Sequence, residues 1–304
     1  MIFVKDLNIV VKFLMEVSTM VSKFNIDDLS INFIDNSIAY SENENNQNIK
    51  FSEDYKSRVI DILVENQYSN TNISGTDSRI IDDYTYVNNN NITEFNLNNT
   101  EYIGIGAFEF CENLTTINAN SNTVNGITLC NSSFANCGKL KEFNVRCNNL
   151  PDRCFYGCHS LTKIILNENS KIDSIGNDCF NGCTELRNID ISKHNISSIG
   201  ALAFYNCLSL RHIVFNNSLT TIEALAFANC NLNTVIIPKT VKFIETSAFE
   251  GNIGLQQVIF EHSANDIIYL NDNIFNKCPN VTIISKNDSI AEYAKRNKLK
   301  FRAN

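Results

Sequence analysis

Eleven cysteines and four histidines are the residues of this 304-residue chain whose types and spacing could do chemistry. Cys154, Cys158 and His159, followed by Cys179 and Cys183, offer the sulfur and imidazole donors from which a tetrahedral zinc site can be built. Neighbouring strands lie about 4.8 Å apart, so cysteines on stacked strands can also come within disulfide reach. His159, His194, His212 and His262 are the candidates for a general base, but none stands in a Ser-His-Asp or Cys-His arrangement. The glycines are few, fall mostly at turns and form no phosphate-cradling loop. The chain therefore reads as a non-enzyme, with no catalytic residue, metal or cofactor expected.

The cysteine positions have another explanation. Cys111, Cys137, Cys158, Cys183, Cys207, Cys230 and Cys278 each fall three residues after a phenylalanine. The anchors are Phe108, Phe134, Phe155, Phe180, Phe204, Phe227, Phe249 and Phe275, spaced by 26, 21, 25, 24, 23, 22 and 26 residues. A period of 20–29 residues with a leucine-x-x-leucine-x-leucine core is the mark of leucine-rich repeats. One such coil cannot bury its own apolar face, so stability must come from stacking on its neighbours. The repeat makes Cys158 and Cys183 core residues, and Cys154 and Cys179 stand where Ala203 and Ala226 stand later. Packed, reduced thiols are favoured over zinc or disulfides on that ground.

The elements of one coil follow from its residues. Leu161, Ile164 and Leu166 form one short strand with its inward side chains, matched by Leu186, Ile189 and Ile191 in the next coil. The residue before the cysteine position is Asn136, Gly157, Gly182, Asn206, Asn229 or Gly251, types that tolerate a left-handed backbone, so φ > 0 is expected there. A second apolar pair precedes most anchors, Ile172 and Ile175, Ile196 and Ile199, Leu219 and Ile222, Val241 and Ile244, and predicts a second buried wall. The coil after Phe134 lacks a clear pair of this kind.

The coil running from Leu210 through Ile213, Leu219, Ile222 and Ala226-Phe227 to Cys230 resembles the BspA-like leucine-rich repeat family, and the match spans roughly residues 86–304. The resemblance implies an α/β solenoid, a right-handed coil stack with a parallel β-sheet, and the residues ahead of it read as a small α+β N-terminal unit. It divides the chain into an N-terminal cap or docking unit (1–85), about eight coils (86–287), and a closing helix and strand (288–304). Within the first part, Phe3, Leu7, Val10, Leu14, Val17, Val21 and Phe24 have helical spacing. Ile31 and Phe33 with Ile38 and Tyr40 read as a hairpin, Ile49 with Phe51 as a strand, and Ser52 as the cap of a helix bearing Tyr55, Val59, Ile62 and Leu63. An Asn- and Ser-rich polar stretch links this unit to the coils.

The net charge of −8, with no run of Lys and Arg, argues against a nucleic-acid partner. The N-terminal apolar stretch is interrupted by Lys5, Asp6, Lys12 and Glu16, so neither a signal peptide nor a membrane span is read. Protein binding remains. The outward strand positions form two columns, and the expected partner-binding residues are Lys163, His212, Thr234 and Gln257 in one, and Ile165, Val214, Ile236 and Ile259 in the other. Three consecutive apolar residues on an outward column suggest a binding stripe, although β-branched residues also suit any pleated surface. The resemblance implies a cell-surface adhesion or host-interaction protein; the chain's own lack of a read anchor suits an intracellular adaptor whose N-terminal unit docks a second partner.

Overall fold

The computed structural model describes residues 2–4, 38–40, 74–119, 126–166 and 172–304. The chain divides into two compact units, Met1–Ser69 and Asn70–Asn304. In the first, Ile2–Val4 pairs antiparallel with Ile38–Tyr40. Phe3, the expected first residue of a helix, is thus in a strand, and the strand at Ile38 and Tyr40 pairs there with Ile2–Val4. The rest of the expected helix, the strand at Ile31 and Phe33, the Ile49–Phe51 strand and the Ser52-capped helix lie outside the described residues.

The second unit is a stack of coils with two parallel walls. The long-strand wall holds Gly75–Thr76, Glu94–Leu97, Thr116–Ala119, Glu142–Cys147 and Lys163–Leu166, then the pair Asn188–Asp190 and His212–Val214. It ends with Thr234–Ile237, Gln257–Phe260, Thr282–Ser285 and Lys300–Ala303. The short-strand wall runs from Ile80–Ile81 through Tyr102–Ile103 to Thr128–Leu129, and again from Ser174–Ile175 to Tyr269–Leu270. Parallel pairing therefore begins upstream of residue 86, in the stretch that composition marks as a polar link. Tyr86 replaces the anchor phenylalanine in this additional coil, its ring 5.0 Å from that of Phe108.

Between the walls the anchors form a continuous column. From Phe108 to Phe275, successive ring centroids are 5.0–5.8 Å apart with interplanar angles of 5–16°. Every anchor is buried, and so are the four apolar pairs of the second wall. The coil after Phe134 solves its missing pair differently. Its strand Glu142–Cys147 extends for six residues, and buried Cys147 pairs with both Leu166 and Ile127, while Leu150 bridges to Ile175. This shortest coil lets one strand reach toward both walls.

Each coil holds two left-handed residues. The expected position is confirmed at Asn136, Gly157, Gly182, Asn206, Asn229 and Gly251. At Gly157, with φ of 69°, an added Cβ would lie 2.7 Å from the Asn136 Oδ1, so crowding by the previous coil reinforces the backbone requirement. A second left-handed position falls two residues before each anchor, with φ of 54–60° at Tyr84, Gly106, Ser132, Arg153, Asp178, Leu202, Leu225, Ser247 and Asn273.

The stack closes with the helix Asp288–Arg296. Its N-cap Asn287 accepts from the Ile290 N–H and donates its amide to the carbonyls of Ser263 and Asp266 at 2.7 and 2.8 Å, tying the helix to the preceding coil. Ile290, Tyr293 and Ala294 cover the end of the core.

Candidate functional site

The sulfur atoms are structural. Each ladder cysteine donates its S–H to the carbonyl of the anchor one coil back: Cys111 to Tyr86, Cys137 to Phe108, Cys158 to Phe134 and Cys183 to Phe155, all at 3.0–3.1 Å. Cys207, Cys230 and Cys278 repeat this at 3.1 Å to Phe180, Phe204 and Phe249. Burial pushes these thiols up, Cys111 to about 12 and Cys278 to about 11, which keeps the donating proton in place. Asn252, which interrupts the series, makes the same bond with its amide, 2.7 Å to the Phe227 carbonyl. It also donates to Phe249 O and accepts from the Leu232 N–H of the preceding coil.

Cys154 and Cys179 are buried where alanines stand in other coils, and all eleven cysteines are free thiols. Among the described residues no group of three or more His, Cys, Asp or Glu side chains is placed to hold a metal. His159 Nδ1 meets the Gly182 carbonyl at 2.9 Å, and buried His262 Nε2 meets Val241 O at 2.8 Å, so both serve the coil-to-coil bonding.

The outward columns are where the frame placed them. His212 and Lys163 are exposed, and Thr234 and Gln257 half-buried. Val214 and Ile236 are each 49% exposed, Ile259 and Ile165 are half-buried, and inward-facing Ile213 and Ile237 are buried. Thr234 faces Gln257 and Ile236 faces Ile259 in register, with His212 and Val214 on the strand of the preceding coil. These six residues come together. Lys163 and Ile165 stand apart from them, because the Asn188–Asp190 strand intervenes. A register shift between Ile164 and Ile165 also sets Ile165 opposite Arg146 rather than Asn144. Beyond Ile259 the column continues to Ile284, which is buried, and then to Arg302.

Sequence reading missed a second exposed apolar group on the short-strand wall. Phe243 and Tyr269, 48% and 58% exposed, face each other in register with ring centroids 5.2 Å apart. Ser174, Ser198 and Thr221 hold the same outward position in earlier coils, and that contrast was the available signal.

Stacked parallel strands, a 21–26-residue period and an anchor column define a leucine-rich repeat solenoid. The chain belongs to the BspA type leucine rich repeat family, which it matches over residues 13–141, 79–196, 122–233 and 173–299. Among solved structures it is similar to the pneumococcal vaccine antigen PcpA, at 17% identity over 74% of this chain and 71% of that one, with a TM-score of 0.39. It is also similar to a leucine rich cell surface protein from Faecalibacterium prausnitzii A2-165, at 17% identity over 74% and 83% of the two chains and a TM-score of 0.36. A leucine rich repeat protein of T. pallidum shares 15% identity over 73% and 78%, with a TM-score of 0.37. Comparison with curated proteins gives no match.

Proposed function

We propose that this chain is a non-enzymatic protein-interaction module that binds a protein partner on the outer face of its long-strand wall. The supporting observation is the pair Val214 and Ile236, each nearly half exposed on neighbouring coils, with Ile259 in register beside them. His212, Thr234 and Gln257 line one side of that stripe, so an apolar centre meets a polar rim, the composition of protein interfaces. Lys163 and Ile165 extend the surface toward the earlier coils. Changing Ile236 to Asp should abolish partner capture with little change in thermal stability, because an outward side chain supports no core contact. The same change at buried Ile237 should unfold the coil instead. Partner capture that is equal for wild type and Ile236→Asp would retire the stripe and shift attention to Phe243 and Tyr269.

Family resemblance adds the finer reading, a cell-surface adhesion or host-interaction protein. An intracellular adaptor, with the N-terminal unit docking a second partner, is the alternative. Among the described residues no helix is long and apolar enough to cross a membrane. Biotinylation of intact cells separates the two: labelling of the chain supports the surface reading, and its protection supports the adaptor.

A further inference from the structure

The long-strand wall changes character along its length. Cations stand along this wall in four consecutive coils, Lys141, Arg187 and Arg211 directly before the strand and Lys163 at its first residue. All four are exposed, and Arg187 and Arg211 are stacked directly, the Arg211 N–H donating to the Arg187 carbonyl at 3.1 Å. Arg146, at the outer face of the Phe134 coil, is exposed as well. Among the described residues none of the five has a carboxylate at ion-pair distance; the pairs present are Arg79–Glu101, Lys277–Glu250 and Arg296–Asp272. Glu142, in register with Lys163, and Asp190 stand on the strands that carry these cations, and neutral donors engage both. Glu142 accepts from the Asn144 amide at 3.3 Å, and Asp190 accepts from the Ser192 N–H at 2.9 Å. In a chain of net charge −8, this row of cations is thus without carboxylate partners among the described residues.

The row ends where the apolar stripe begins. In the Phe227 and Phe249 coils the positions equivalent to Arg187 and Arg211 are Asn233 and Gln256, and the outward column carries Ile236 and Ile259. The Phe204 coil belongs to both halves, with Arg211 and Val214 three residues apart.

We infer that the wall takes an extended acidic–apolar peptide segment of its protein partner, acidic side chains lying over Lys141, Lys163, Arg187 and Arg211 and apolar ones over Val214, Ile236 and Ile259. This deepens the proposed function and rests on it. Charge complementarity selects the acidic half, and the contiguous apolar stripe selects a peptide over a purely anionic polymer. Five coil steps of about 4.8 Å make roughly 24 Å, the length of about seven extended residues. Strong salt dependence follows, because the cations are exposed to solvent.

The test is a random twelve-residue peptide library displayed on phage and panned against the immobilised full chain. Clusters of Asp and Glu next to Ile, Leu or Val should be enriched. Synthetic copies of those peptides should lose affinity about tenfold or more on the Arg187→Glu/Arg211→Glu chain, and also on the Ile236→Asp chain. Circular dichroism of both variants should match wild type, since all three positions are exposed. Enriched peptides without acidic residues, retained by the charge-reversed chain and lost by Ile236→Asp, would overturn the acidic inference and leave the interaction wall standing. Peptides indifferent to both variants, or no enrichment at all, would overturn both. Heparin binding that falls with Arg187→Glu/Arg211→Glu, without peptide enrichment, would assign the row to a sulfated glycan instead.

Discussion

Along the inside of the coil stack the same side chains recur from Phe108 to Cys278, while along the outside of the long strands the residue type drifts from basic to apolar within a few coils. The inner positions answer to fixed partners: a ring about 5 Å away and a carbonyl waiting for a donor. The outer positions answer to solvent or to a partner, so the scaffold leaves them free to be patterned. Constraint on one side of the strand and freedom on the other is what lets a single repeat carry a specific surface.

The most severe break should come from the anchors. Phe204 stacks on Phe180 at 5.2 Å and on Phe227 at 5.0 Å, whereas Phe275 stacks on Phe249 alone and meets Tyr293 edge-on at 6.4 Å. Truncating a buried phenylalanine to alanine costs about 3–5 kcal/mol. Phe204→Ala should therefore lower the urea midpoint more than Phe275→Ala, and damage should spread to both flanking coils. Equal midpoints would mean that coupling between coils is weak.

A gentler break tests the donor rather than the volume. Asn252→Leu keeps the size but strands the Phe227 carbonyl and the Leu232 N–H, each at about 1–3 kcal/mol for a buried group, while the Phe249 carbonyl keeps the Cys278 S–H. Asn252→Cys restores the bond to Phe227 and should recover much of that loss. Urea titration of the two variants compares them, and a leucine as stable as the cysteine would show that packing alone fills this column.

The smallest effect is expected from alkali. The ladder thiols are raised in the folded chain, so folding stability from them is complete below the ordinary thiol pKa of about 8.5 and declines as pH rises toward 11 and 12, where Cys278 and Cys111 titrate. The urea midpoint should fall progressively above about pH 9. At neutral pH a thiol reagent should label half-exposed Cys130 first and the ten buried cysteines only on unfolding. Rapid native labelling of the ladder would contradict the donor role.

Much of the inner side was legible from the residues. The Phe-x-x-Cys spacing located the anchors, and Asn or Gly before the cysteine located one left-handed turn. The second left-handed turn was invisible, because Arg153, Leu202 and Leu225 are ordinary residues held there by tertiary bonds: their N–H groups donate to the carbonyls of Asn177, Ala224 and Thr246 in the next coil. The Tyr86 coil escaped notice because Tyr replaces Phe and Asn89 takes the cysteine's place. On the outside, the apolar stripe followed from the strand frame, but the cation row did not. Its members are 22 to 24 residues apart along the chain and become neighbours only when the coils stack.

The S–H to carbonyl bond always runs from one coil to the coil before it. Each coil therefore brings one donor and one acceptor of its own, and joins head to tail with any other. A gene duplication or deletion of one whole coil would leave no orphaned bond at the junction. The array can change copy number without redesign, and the outer pattern can lengthen or shorten with it.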